Sequence, residues 1–191
     1  PIVTNRLQDD TPQPTPWRLI RLSSSCNRDA QALVETVRDA LAEVPGSDLE
    51  PAVIVETSGS SGYPKSVVLP IGALRASAEA TAERIGSGSW VLALEPTYVA
   101  GLQVLVRSIL AGTDPAVIPA SFTPEQFFEA AAGLDAPRYT SLVPAQLTRL
   151  LDAAARDPAV ADCLRGFEAI LVILELHPVE RSGFDLAHRK P

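Results

Sequence analysis

The chain has 191 residues, 46% of them hydrophobic, and sets 16 basic against 23 acidic side chains for a formal charge of −7. That composition supports a sizeable core in one domain, with an appendage at most. No apolar run approaches the ~18–20 residues of a membrane span, and the N-terminus has no signal-peptide layout. The acidic balance argues against a nucleic-acid binder. Cys26 and Cys163 make no CxxC pair, which leaves no disulfide framework or zinc site and suits a reducing compartment. A soluble, cytoplasmic α/β protein is expected, with small-molecule partners and a second copy of the chain as the candidate protein partner.

Residues 1–26 hold four prolines and read as an extended arm, in which Trp17, Leu19, Ile20 and Leu22 could dock on a core. Asn27 is a plausible N-cap for a helix with an apolar stripe of Ala30, Leu33, Val34, Val37, Leu41 and Val44, stopped by Pro45-Gly46. Ala52–Glu56 reads as a β-branched strand, followed by a Ser/Gly-rich stretch and a helix over roughly 70–85. Trp90–Leu94 is a second strand, Gly101–Ala111 a helix, and Ala116–Ile118 a third strand. Thr123-Pro124-Glu125-Gln126 has the form of a capping box with proline at the first helical position, opening a helix to about Gly133. Tyr139–Val143 is a fourth strand. Pro144 and Asp157-Pro158 start two more helices, and Ala169–Leu174 is a fifth strand, apolar throughout. Short apolar strands alternating with helices imply a mostly parallel sheet, built from repeated βα units and covered on both faces. The expected division is an arm and helix over 1–49, an α/β core over 50–172 and an aperiodic tail over 173–191.

The chemistry concentrates in Thr57-Ser58-Gly59-Ser60-Ser61-Gly62-Tyr63-Pro64-Lys65-Ser66, placed after one predicted strand and shortly before a predicted helix. A phosphate-binding turn of an α/β sheet sits in that context. Gly59 and Gly62 permit positive φ and close backbone approach to an anion. Thr57, Ser58, Ser60 and Ser61 offer hydroxyls without adding negative charge, and Lys65 supplies a flexible cation. Lys65 is one of only two lysines, the other being Lys190. Three related motifs are absent. Pro64 stands where a Walker A loop needs glycine, Gly59 and Gly62 do not fit GxGxxG, and GSSG is not a GxSxG elbow. The alternative is a polar surface loop.

TSGSSGYPK resembles the signature phosphate loop of the AMP-forming acyl-CoA synthetases, the adenylate-forming superfamily, which reads T-S-G-[ST]-[ST]-G-x-P-K. Every fixed position is matched from Thr57 to Lys65. WVLAL at 90–94, VAGLQVLVRS at 99–108 and SLVPAQL at 141–147 are similar to 2-succinylbenzoate–CoA ligases of menaquinone synthesis. The resemblance implies the α/β fold of that superfamily's large N-terminal domain, with 50–172 as its nucleotide-binding core. It implies an ATP-dependent acid–CoA ligase, with ATP and CoA as substrates and Mg²⁺ held largely by phosphates. Thr57, Ser58, Gly59, Ser60, Ser61, Gly62 and Lys65 would bind the ATP phosphates, while Tyr98 and Gly101 would line the acyl pocket. Two departures stand out. Tyr98 replaces the family's common histidine, and Ile173-Leu174 replace its Gly-Gly, with the later acidic motif, ribose-binding Asp and lid domain missing. A truncated N-terminal portion, inactive alone, is therefore expected. The other reading is a catalytically incomplete remnant that binds nucleotide or only folds.

Three further positions have two readings each. Tyr98 is an acyl-pocket ring or a partly buried sheet-end aromatic. Arg107 is a solvent-facing charge or an anchor for a carboxylate. Cys163 is a small core residue or, with His177, a nucleophile pair.

Overall fold

The computed structural model describes residues 17–22, 30–43, 49–58, 64–118 and 121–174. Asn27, Pro45-Gly46, Cys26, His177 and His188 lie outside them, as does the tail beyond Leu174. Thirteen elements follow in order: β1 (Trp17–Arg21), α1 (Ala30–Ala42), β2 (Glu50–Ser58), β3 (Pro64–Pro70), α2 (Ile71–Ile85), β4 (Ser89–Leu92), α3 (Val99–Leu110), β5 (Ala116–Val117), α4 (Pro124–Ala132), β6 (Arg138–Leu142), α5 (Pro144–Ala154), α6 (Pro158–Arg165) and β7 (Phe167–Val172). The protein is α/β.

Its strands fall into two sheets. One has the order β1-β2-β3 and the other β5-β4-β6-β7. All pairs of the second sheet are parallel, as is β1 with β2, whereas β2 and β3 are antiparallel. The extended arm thus contributes a strand, with Leu19 opposite Ala52 and Ile20 opposite Val53.

The pleat explains how both faces of the four-stranded sheet are covered. Trp90, Leu92 and Tyr139 join one cluster with Leu33 and Val37 of α1, Leu74 of α2 and Leu102 and Leu105 of α3. The alternate residues Val91 and Leu142 join a second cluster with Phe127 of α4, Leu150 of α5 and Phe167 of β7. Period-2 alternation in a strand sends successive side chains to opposite faces, so one strand serves two cores. Trp90 stacks on Tyr139 with ring centroids 5.1 Å apart, and the Tyr139 hydroxyl donates to the Ile85 carbonyl at 3.0 Å.

Local signals set the helix starts. Thr123 Oγ1 accepts from the Gln126 amide at 3.3 Å, and Asp157 Oδ1 accepts from Ala159 at 2.9 Å. The return half of the predicted box at Thr123 is not made, because Gln126 Oε1 has no partner among the described residues. With one cap bond in place, Thr123→Ala is expected to cost about 1 kcal/mol. Urea unfolding checks this, and an unchanged midpoint would remove the cap from the account of α4.

Candidate functional site

The connectivity of the four-stranded sheet defines where a ligand would lie. From β4 the chain moves to β5 on one side, then returns to place β6 on the other side of β4. Strand order reverses between β4 and β6. In open α/β sheets the crevice outside the carboxyl ends of the strands, at such a reversal, is where ligands bind. Two connections frame that crevice: residues 93–98 between β4 and α3, and Val143 between β6 and α5.

Of the residues expected at the acyl pocket, Tyr98 ends the first connection and Gly101 lies in the first turn of α3. Tyr98 is the residue before α3, its amide donating to the Glu95 carbonyl at 3.2 Å and its carbonyl accepting from Leu102 at 2.9 Å. These bonds form a tight turn that passes directly into the helix. Thr97 Oγ1 donates to Glu95 Oε1 at 3.2 Å, bracing the turn from within. Tyr98 is 52% exposed, so its ring lies at the surface rather than in the core. Gly101 is buried one turn further on. A Cβ there would lie 2.6 Å from the Glu95 carbonyl carbon and 2.9 Å from Pro96 Cα. Glycine lets the helix press against the turn.

The second connection is tied to the first by a side chain that the sequence did not single out. Gln146 Nε2 donates to the Ala93 carbonyl at 2.7 Å, while its Oε1 accepts from the Val143 amide at 3.0 Å. The signal was present as proline at the start of α5 with glutamine in its first turn. Its reach to β4 could not be read locally.

The predicted phosphate loop has a different setting from the strand-to-helix turn expected of it. It joins β2 to β3, with Thr57 opposite Lys65 and Ser58 opposite Pro64 in antiparallel register, and α2 begins only at Ile71. The motif's first and last residues are thereby held on facing rungs of one hairpin. Gly59, Ser60, Ser61 and Gly62 lie outside the described residues. The loop belongs to the three-stranded sheet, while Tyr98 and Gly101 follow β4 of the other.

Arg107 is half-buried rather than solvent-facing, nine residues beyond Tyr98 and about 14 Å along the α3 axis at 1.5 Å per residue. Its guanidinium sits 5.3 Å over the Trp90 ring, and burial lowers its pKa from the ordinary value. Cys163 is half-buried, and desolvation raises its thiol pKa against a smaller opposing influence from Arg138. A thiol held protonated is a poor nucleophile. No group of three His, Cys, Asp or Glu side chains among the described residues could hold a metal ion. No described helix is long and apolar enough to cross a membrane. Two grooves lie elsewhere. One of about 560 Å³ is lined by Phe122, Phe128, Arg149 and Arg156, and one of about 260 Å³ by Trp90 and Arg107; neither includes Tyr98 or Gly101.

A probable 2-succinylbenzoate–CoA ligase of Mycobacterium tuberculosis is 43% identical to this chain over 129 residues, 65% of the chain and 33% of that protein. The chain resembles part of a 2-succinylbenzoate–CoA ligase. The corresponding protein of Haemophilus influenzae is 31% identical over 118 residues, covering 60% of this chain and 24% of its own length. The chain therefore spans a quarter to a third of these curated relatives. No known family profile matches it. Among solved structures, the o-succinylbenzoate CoA synthetase of Bacillus subtilis bound to its acyl-adenylate intermediate shares the fold, with a TM-score of 0.54 and 24% identity. That match covers 64% of this chain and 31% of the other. A malonyl-CoA ligase bound to methylmalonyl-CoA and AMP gives a TM-score of 0.51 and 25% identity, over 63% and 26% of the two chains. The α/β fold and the acyl-CoA ligase class are those of the relatives.

Proposed function

We propose that this chain is part of an ATP-dependent acid–CoA ligase, and that its acid is 2-succinylbenzoate. The observation that carries the reading is the complete TSGSSGYPK motif in a chain 43% identical to such a ligase over 129 residues.

In this reading Thr57, Ser58, Gly59, Ser60, Ser61, Gly62 and Lys65 hold the phosphates of ATP, entering with Mg²⁺. The hydroxyls donate to phosphoryl oxygens, and Lys65 offsets the charge that grows on them. The acyl carboxylate attacks the α-phosphorus as the bond to the β-phosphate breaks, giving acyl-adenylate and pyrophosphate. Charge develops on the leaving pyrophosphate, where fixed donors act without reorganising. The thiol of CoA then attacks the acyl carbonyl and AMP leaves. Tyr98 would stack on the aromatic acid at the crevice mouth, with Gly101 letting the turn sit close beneath it. Both steps are proposed for the whole ligase, of whose curated relatives this chain spans a quarter to a third.

Calorimetric titration of the 191-residue chain with ATP, and with a sulfamoyl analogue of 2-succinylbenzoyl-adenylate, tests the reading. Both should bind, and Lys65→Ala should weaken ATP by roughly ten- to a hundredfold, the range for a charge-assisted hydrogen bond. No acyl-CoA should accumulate with the chain alone. Absence of binding by both ligands favours a fold that no longer binds nucleotide, and ATP binding indifferent to Lys65→Ala overturns the assignment of the loop. Turnover by the isolated chain would show that these 191 residues suffice for both steps.

A further inference from the structure

Gln146 stands where the two connections of the switch point meet, and both ends of its amide are used. Its carboxamide oxygen caps the start of α5 through Val143, and its nitrogen crosses to Ala93, the first residue after β4. The side chain is half-buried, so water competes poorly for either bond. Ala93 leads within a few residues to the Glu95–Tyr98 turn and then to Gly101. A cap alone would need only the oxygen. The 2.7 Å donation to Ala93 goes beyond it and fixes the β4–α3 connection relative to β6.

We propose that Gln146 is a positioning residue, which holds the β4–α3 connection and the Tyr98 it carries, and so sets the acyl side of the crevice. The proposal rests on the ligase reading for the nature of the ligand, and on geometry for the tie itself. The two bonds can be separated chemically. Gln146→Glu keeps an acceptor for the Val143 amide, and a carboxylate in the first turn suits a helix N-terminus. It loses the donor, however, and sets a negative oxygen against the Ala93 carbonyl.

Amide hydrogen exchange on the 191-residue chain, with the two titrations above, tests this. Gln146→Glu should speed exchange at Tyr98 and Leu102 by about tenfold, the worth of one net hydrogen bond near 1.4 kcal/mol, and leave Leu147 in α5 unchanged. The acyl-adenylate analogue should bind about tenfold more weakly, with ATP affinity unaltered. Gln146→Ala, which removes both bonds, should add faster exchange at Leu147. Unchanged exchange at Tyr98 in both variants overturns the proposal, and so does an equal loss of ATP and analogue affinity. A wild-type chain that binds no analogue overturns the acyl reading instead, and the exchange at Tyr98 still decides whether Gln146 holds the connection. If Gln146→Glu fails to fold, exchange at Tyr98 in the alanine variant decides the same question.

Discussion

Phe127→Ala is expected to lower stability by about 3–5 kcal/mol. Phe127 is completely buried, and three rings surround it. Phe167 stacks at 5.4 Å and 25°, Phe128 meets it edge-on at 5.7 Å and 90°, and Phe122 lies at 6.1 Å and 54°. Alanine removes the centre of this cluster and leaves a cavity whose walls belong to α4, β7 and the β5–α4 connection. Those walls cannot all collapse, because Phe167 is held in the edge strand by register with Arg138. A domain with ~5–15 kcal/mol in total would lose a large fraction of it. Urea unfolding should show a lower midpoint with an unchanged slope, while Leu151→Ala, at a side chain exposed to solvent, should stay within about 0.5 kcal/mol of wild type. A loss below about 1 kcal/mol for Phe127→Ala would mean that this second cluster is not packed as described.

Period and punctuation made most of the individual elements legible. Proline at the first position of α4, α5 and α6, and caps at Thr123 and Asp157, mark helix starts in a few adjacent residues. Strands β4, β6 and β7 showed as short apolar runs between those helices. What escaped was non-local. β3 was absorbed into the approach to α2, because Ser66–Leu69 is a short run between prolines and becomes a strand by pairing with β2. β1 looked like part of a proline-rich arm, and its strand character depends on a parallel partner some thirty residues away. The division into two sheets follows from the same pairings. At the site, the loop motif was legible as chemistry, because hydroxyls, glycines and lysine at fixed spacing carry their reason with them. Its hairpin setting was not. Gln146 shows the opposite case, with a residue type too ordinary to notice until the topology sets β4 beside β6.

Glycine-to-alanine changes in two helices should have opposite signs, and the difference isolates the close approach that shapes the crevice. In a helix interior alanine is favoured over glycine by about 1 kcal/mol through backbone entropy. Gly72 in α2 is exposed with nothing within 4 Å of a built Cβ, so Gly72→Ala should stabilise by about 0.5–1 kcal/mol. Gly101→Ala gains the same entropy and loses more. Its methyl would overlap backbone atoms of Glu95 and Pro96, which cannot turn aside as a flexible side chain would. Either α3 lifts from the sheet or the turn shifts, and overpacking of this kind costs about 1–3 kcal/mol. Because Leu102 and Leu105 on α3 are fully buried, moving the helix disturbs the core. The turn is less buried than these core leucines, with Glu95 and Thr97 half-buried and Tyr98 exposed around a buried Pro96, so the strain should appear at Glu95–Tyr98. Thermal unfolding should therefore rank Gly72→Ala above wild type and Gly101→Ala below it. In the ligase reading, Gly101→Ala should also weaken the acyl-adenylate analogue more than ATP, because that reading sets Gly101 at the acyl pocket and the ATP phosphates on Thr57–Lys65. A stabilised Gly101→Ala would show that the turn and helix are not in contact, and would remove Gly101 from the acyl pocket.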